Sequence, residues 1–135
     1  MLSRTAADLY WMSRYLERAE NLARMLEVSY SLSLMPQAGR SDGLDELAMS
    51  LLSSGTLDSY LERHQQLDAE RMLHFFALDE ENPASIYNCL RAARGNAHAV
   101  RGRITADMWE NLNATWLEMR SIAAGSEKVR MAMEL

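Results

Sequence analysis

Apolar residues return at three- and four-residue intervals through the first part of the chain. Leu9, Met12, Leu16, Ala19, Ala23, Leu26 and Tyr30 share one arc when each residue is turned by about 100°. Ser3 can cap a helix ahead of this stripe by accepting hydrogen bonds from the first free backbone amides. No glycine or proline interrupts residues 4–35. The pattern predicts one helix of about thirty residues, ended by Pro36 and Gly39.

The remaining pattern is also helical. Residues 36–43 read as a loop, and Leu44, Leu47, Ala48, Leu51 and Leu52 predict a short helix from Asp45 to Leu52, closed by Ser53, Ser54 and Gly55. Leu57 to Leu78 reads as one helix or two joined ones, with Leu61, Leu67, Met72, Phe75 and Phe76 as its apolar surface. After the polar turn Asp79 to Asn82, the pair Asn82-Pro83 predicts a helix start. Ile86, Cys89 or Leu90, Ala93, Ala97, Val100 and Ile104 trace its buried side, and Ala92, Ala93, Gly95, Ala97 and Ala99 suit close approach by a neighbouring helix. Packing at Gly95 is expected to offset its cost of about 1 kcal/mol relative to alanine. Thr105 should cap a last long helix with the stripe Trp109, Leu112, Trp116 and Met119, stopped by Gly125 and Ser126.

No strand pattern and no internal repeat interrupts this series. The expected fold is therefore all-α, a bundle of about four to five helices. Residues 1–124 would form the bundle and 125–135 a tail or the start of a further helix. A chain of 135 residues suits a single domain. A bundle of this size could also be completed by pairing with a second copy.

Composition narrows the classes of function. Ten methionines and few β-branched residues agree with helices. A formal charge of −5 argues against a general nucleic-acid binder, which needs a net excess of Lys and Arg. Cys89 is the single cysteine, so no internal disulfide and no thiolate zinc motif can form, and a reducing cytoplasm is the expected compartment. No apolar run approaches the roughly eighteen residues of a membrane span, and no signal-peptide pattern opens the chain.

Candidate chemistry lies on two helix faces. Arg14, Glu17, Glu20, Asn21 and Arg24 share the polar arc of the first helix, and their three- and four-residue spacings let Arg14–Glu17, Glu17–Asn21 and Glu20–Arg24 meet. Tyr87, Arg91, Arg94, His98 and Arg101 form a basic stripe on the fourth major helix. That stripe can face the carboxylates of the first helix in a charged layer, or line a site for phosphate, carboxylate or an acidic partner. Asn96 borders the apolar face and needs hydrogen bonds if buried, which Glu110 and Asn113 on the last helix could help supply. The histidines at 64, 74 and 98 form no compact ligand set, and no Glu-x-x-His element of a di-iron bundle is present. Neither a metal nor a cofactor is called for. Cys89 reads as a buried apolar residue, and Trp11, Trp109 and Trp116 as core or interface.

Together these fragments resemble the bacterial alpha-E domain family, marked by a Glu-Arg sequence in an all-helical domain. The resemblance rests on Leu2-Ser3-Arg4-Thr5-Ala6, Leu9-Tyr10-Trp11, Arg14-Tyr15-Leu16-Glu17-Arg18-Ala19-Glu20-Asn21 and Ala23-Arg24. It continues through Asn82-Pro83, Ser85-Ile86, Ala93-Arg94, Asn96-Ala97, Val100-Arg101, Trp109-Glu110 and Leu112-Asn113. Glu17 and Arg18 carry the family mark, and Glu20, Asn21, Arg94, Asn96, Arg101, Glu110 and Asn113 are family-like polar positions. Members are usually longer, so the chain corresponds to their amino-terminal part. The resemblance implies an accessory role beside ATP-grasp-like or transglutaminase-like proteins in a peptide-modifying or amide-ligating system, and it assigns no catalytic residue. Three readings follow: a helical interaction module, an enzyme subunit that binds an anionic ligand through Arg94 and Arg101, and a structural remnant that self-associates as a homo-oligomer.

Overall fold

With nothing to break its hydrogen-bond ladder, the amino-terminal segment forms a single helix of 31 residues, α1 (Ser3–Ser33). It begins one position earlier than the cap reading requires, because the Leu2 carbonyl already accepts from Ala6 N at 3.2 Å. The structure is a computed structural model and describes residues 2–33 and 44–134. Among them are five further α-helices: α2 (Leu44–Ser54), α3 (Leu57–Arg63), α4 (Ala69–Ala77), α5 (Ile86–Ala99) and α6 (Ala106–Glu134), with a 3-10 turn at Arg101–Arg103. No described residue is in a strand. The fold is an all-α helical bundle, and the loop expected at residues 36–43 lies outside the described residues.

The chain divides into two compact units, Met1–Ala19 with Tyr87–Leu135, and Glu20–Ile86. In the second unit, Leu47, Leu51, Tyr60, Met72, Phe75 and Phe76 form the buried core, with Leu22, Met25 and Leu26 of α1 packed against it. Local signals explain why four short segments make this core. Gly55 takes a φ of +73°, a conformation that glycine adopts without a Cβ penalty. There Gly55 N bonds to Leu52 O at 3.2 Å and Thr56 N to Leu51 O at 3.1 Å, the paired bonds of a Schellman stop.

Leu57 to Leu78 is broken rather than continuous. The Asp68 side chain caps α4 by accepting from Arg71 N at 2.9 Å, which commits residue 68 to extended backbone. Tyr60 Oη donates to Gln66 O at 2.7 Å and ties down the connection. The break shifts the buried register: Tyr60 is fully buried, while Leu61 and Leu67, expected in the apolar surface, are 44% and 41% exposed.

The polar turn after α4 is buried. Asp79 is only 4% exposed, and a carboxylate in that position requires a paired cation. Arg63, the last residue of α3, supplies it, reaching Glu81 as well at 3.3 Å. Asn82 does not cap a helix at Pro83. Its Nδ2 donates to Phe75 O at 2.9 Å and its Oδ1 accepts from Ala84 N at 3.1 Å, so the side chain builds an Asx turn. Helix α5 consequently starts at Ile86.

In the first unit, Met12 and Ala19 of α1, Cys89, Leu90, Ala93, Ala97 and Val100 from α5 and its end, and Leu112 and Trp116 of α6 are buried. Tyr87 meets Trp116 edge-on at 5.0 Å. Thr105 caps α6 as the sequence suggests, accepting from Met108 N at 3.1 Å. The helix then continues through Gly125 to Glu134. One glycine costs about 1 kcal/mol but removes no hydrogen bond, so it weakens a helix without ending it. Along α1 the expected stripe slips by one residue in its second half. Leu22 packs inward where Ala23 was expected, and Ser29 is buried while Tyr30 is 60% exposed.

Two predictions follow from these contacts. Gly95 is exposed and a Cβ added there would meet nothing within 4 Å, so it does not serve the close packing expected of it. Gly95→Ala should raise unfolding free energy by about 0.5–1 kcal/mol in urea titrations; a loss would show that the glycine is needed. Burial raises the Tyr60 hydroxyl above its ordinary pKa; a hydrogen bond with the Asp68 backbone opposes this, the Asp68 charge adds to it and Arg71 opposes it. The stability this contributes is intact below about pH 10 and is lost as pH climbs toward the folded-state value, because the unfolded phenol ionises first. Tyr60→Phe should cost about 1 kcal/mol at neutral pH and show a shallower alkaline decline than the wild type. Parallel declines would contradict the assignment.

Candidate functional site

The first unit holds the polar side chains that reach between helices. Arg94 projects from α5 and Asn113 from α6, and Arg94 Nε donates to Asn113 Oδ1 at 3.1 Å. The Arg94 guanidinium also lies over the Trp109 ring, 5.1 Å from its centre, within the range of a cation–π contact. One turn further along α5, the His98 ring lies 5.7 Å from the same indole. Arg94, Trp109 and Asn113 are half-buried and His98 is exposed. Trp109 thus carries two basic side chains on its surface. Its place in the apolar stripe of α6 pointed to core packing and concealed this role.

A second link joins α5 to α1. Asn96 Nδ2 donates to Asp8 Oδ1 at 2.9 Å across 88 residues of sequence. The other amide atom, Asn96 Oδ1, is buried and has no hydrogen-bond partner among the described residues. The bond to a carboxylate fixes the orientation of the amide, since only its NH2 group can donate. Asp8 was not singled out by sequence. Its partner lies on another helix, and no local spacing relates the two.

The remaining candidates are dispersed. Glu17 pairs with Arg14 at 3.4 Å, Glu20 pairs with Arg24, and all four side chains are exposed. Each carboxylate is therefore occupied by an arginine of its own helix, a solvated arrangement worth about 0.3–0.5 kcal/mol per pair. Asn21, Glu110 and Arg101 are exposed. Arg91 donates to Asn88 Oδ1 at 2.7 Å and lies over Tyr87. Of the ten candidates, the structure joins Arg94 to Asn113 by a hydrogen bond and to His98 through Trp109, and sets Asn96 against Asp8.

The Glu-Arg pair at 17 and 18 divides its roles. Arg18 lies over the Tyr15 ring at 5.7 Å, on a different side from Glu17, because adjacent helical residues are turned by about 100°. Burial pushes the Cys89 thiol above its usual pKa, and the positive charge of Arg18 pulls the other way. A buried thiol raised in this manner is a poor nucleophile. Among the described residues no group of three or more His, Cys, Asp or Glu is placed to hold a metal ion, and no described helix is long and apolar enough to cross a membrane.

An all-helical chain that carries Glu-Arg pairs, here at 17–18, 62–63 and 70–71, fits a known class. The chain belongs to the Alpha-E family, described as a predicted alpha-helical domain with a conserved ER motif, whose model matches residues 1–134. It is also similar to proteins of Mycobacterium bovis and of two strains of Mycobacterium tuberculosis that are named only as uncharacterised, at 28% identity over 123 residues. Those matches cover 78% of this chain and 13% of each relative. The chain therefore spans a small part of the length of these relatives. No solved structure matches it.

The Asp8–Asn96 bond should be measurable as a coupling. In a double-mutant cycle with Asp8→Ala and Asn96→Ala, each single change should cost about 1–3 kcal/mol of stability, and the pair about 1 kcal/mol less than the sum. Strict additivity would mean that the two helices are held there by packing alone.

Proposed function

We propose that the chain is a non-catalytic helical accessory module that acts by binding another protein. The observation that carries this reading is the apolar surface left on the helices of the first unit. Tyr10 and Trp11 of α1, and Met108, Leu117 and Ile122 of α6, are between 42% and 57% exposed. Trp11 is itself held in place by ring contacts to Tyr10 at 5.2 Å and Tyr15 at 5.8 Å. Ordered, exposed aromatic and aliphatic side chains are what protein interfaces use.

The relatives support the same reading, since a segment like this one forms 13% of their length, as a module within a longer protein does. The alpha-E resemblance directs the choice of partner toward an ATP-grasp-like or transglutaminase-like protein in a peptide-modifying system. A free thiol at Cys89 fits a reducing cytoplasm. A second reading, a subunit that binds an anionic ligand for such an enzyme, is favoured by the half-buried Arg94 held at Nε.

Co-expression with an ATP-grasp-like and a transglutaminase-like protein of the same genome, followed by size-exclusion chromatography, tests the proposal. A stoichiometric complex is expected, and Trp11→Glu or Ile122→Glu should abolish it while leaving the helical circular-dichroism signal intact. If neither protein forms a complex, or if the complex ignores both substitutions, the reading fails. Sedimentation of the chain alone shows whether a homo-oligomer covers the same surface instead.

A further inference from the structure

The stretch around α5 carries formal charge of one sign only. From Asn82 to Ala106 there is no Asp or Glu, yet Arg91, Arg94, His98, Arg101 and Arg103 all fall within it, in a chain of formal charge −5. Arg101 and Arg103 stand exposed on the turn after α5. The stretch is thus basic within an acidic chain, with Asp107 and Glu110 following it on α6.

Arg94 differs from these neighbours in how it is held. Its Nε is committed to Asn113, and its guanidinium carbon lies over the Trp109 ring. Among the described residues its two terminal amino groups have no hydrogen-bond or ion-pair partner. A guanidinium held at Nε and over an aromatic ring keeps the fork of N–H groups on its two terminal amino groups, the geometry that a carboxylate accepts in a bidentate pair. The ordering cost is already met by the fold, so binding there loses less side-chain entropy than at a free surface arginine.

We propose that this face docks an acidic segment of a partner polypeptide. One Asp or Glu carboxylate of the segment accepts two hydrogen bonds from the terminal amino groups of Arg94, its methylene stem lies along Trp109 and His98, and Arg101 adds attraction at longer range. The proposal rests on the interaction-module reading and names the chemistry of its partner. A carboxylate suits the site better than phosphate, because a single fixed fork satisfies both oxygens of the former and leaves oxygens of the latter unmatched.

The test is fluorescence anisotropy with a labelled peptide carrying Glu in an apolar frame, against the same peptide with Gln. The Glu peptide should bind at low salt and the Gln peptide at least about tenfold more weakly. Arg94→Gln should weaken the Glu peptide by about tenfold or more, Arg94→Lys should not restore it, and Arg101→Gln, on an exposed turn, should weaken it by a smaller factor. Arg120→Gln, a surface change elsewhere on α6, should leave binding as it was. Equal binding of the two peptides, binding weaker than about 1 mM, or indifference to Arg94→Gln in a protein of unchanged circular dichroism would overturn the proposal. So would inorganic phosphate that displaces the peptide at lower concentration than acetate. A protein complex that survives Arg94→Gln but not Trp11→Glu would remove this surface and leave the module reading standing.

Discussion

One constraint runs through the whole molecule: α1 is a single uninterrupted helix that has to supply apolar side chains to both units. Its first half gives Met12 and Ala19 to one core, and its second half gives Leu22, Met25 and Leu26 to the other. A helix has one period, so the polar residues between these contacts are forced onto the remaining arc. That is why Arg14, Glu17, Glu20 and Arg24 find each other along α1. Their pairing is the solution available to charges that must stay in water, and it leaves them little capacity for chemistry elsewhere. Burial of Ser29 is the cost of the same constraint, since its hydroxyl is enclosed without a hydrogen-bond partner among the described residues.

Helix α5 meets a complementary demand. Ala93 and Ala97 are fully buried on its inner side, and such small side chains bring backbones close, so the long side chains one position to either side emerge at the edge of the contact. Arg94 and Asn96 emerge there, and both bridge to another helix rather than extending freely into water. The difference between them is chemical. Asn96 spends its donor on a carboxylate, while Arg94 spends one donor of five on Asn113 and keeps its charge. Interior packing on one side of α5 therefore determines which polar groups are pre-oriented on the other.

The legible parts of this structure were those written in local periodicity. The extent of α1, the buried stripe of α5, the Thr105 cap and the Gly55 stop all depend on residues within a few positions of each other. Tyr60 and Leu61 mark where that information ends. In a helix of seven residues, about two turns are too short for a stripe to fix its phase, and Tyr60 rather than Leu61 faces inward. Asp8 was illegible for a different reason, since its partner lies 88 residues away. Arg94 and Asn113 fell between the extremes. Both are polar positions on neighbouring helices, but Trp109, which the arginine overlies, has the sequence pattern of any other core aromatic.

The Glu17-Arg18 pair is best understood through the same geometry. Two adjacent helical residues are turned by about 100° from each other, and α1 is one helix through this region. Glu17 accordingly turns to solvent and Arg14, whereas Arg18 turns to Tyr15, on the side where its charge reaches the buried Cys89. An arginine suits that place because its flat cation can lie on an aromatic ring with its stem over apolar surface, which a lysine ammonium does less well. The dipeptide thus labels one position on the outer face and one at the rim of the core. In this fold its two halves answer to different neighbours, so a substitution at one should report on solvation and at the other on packing.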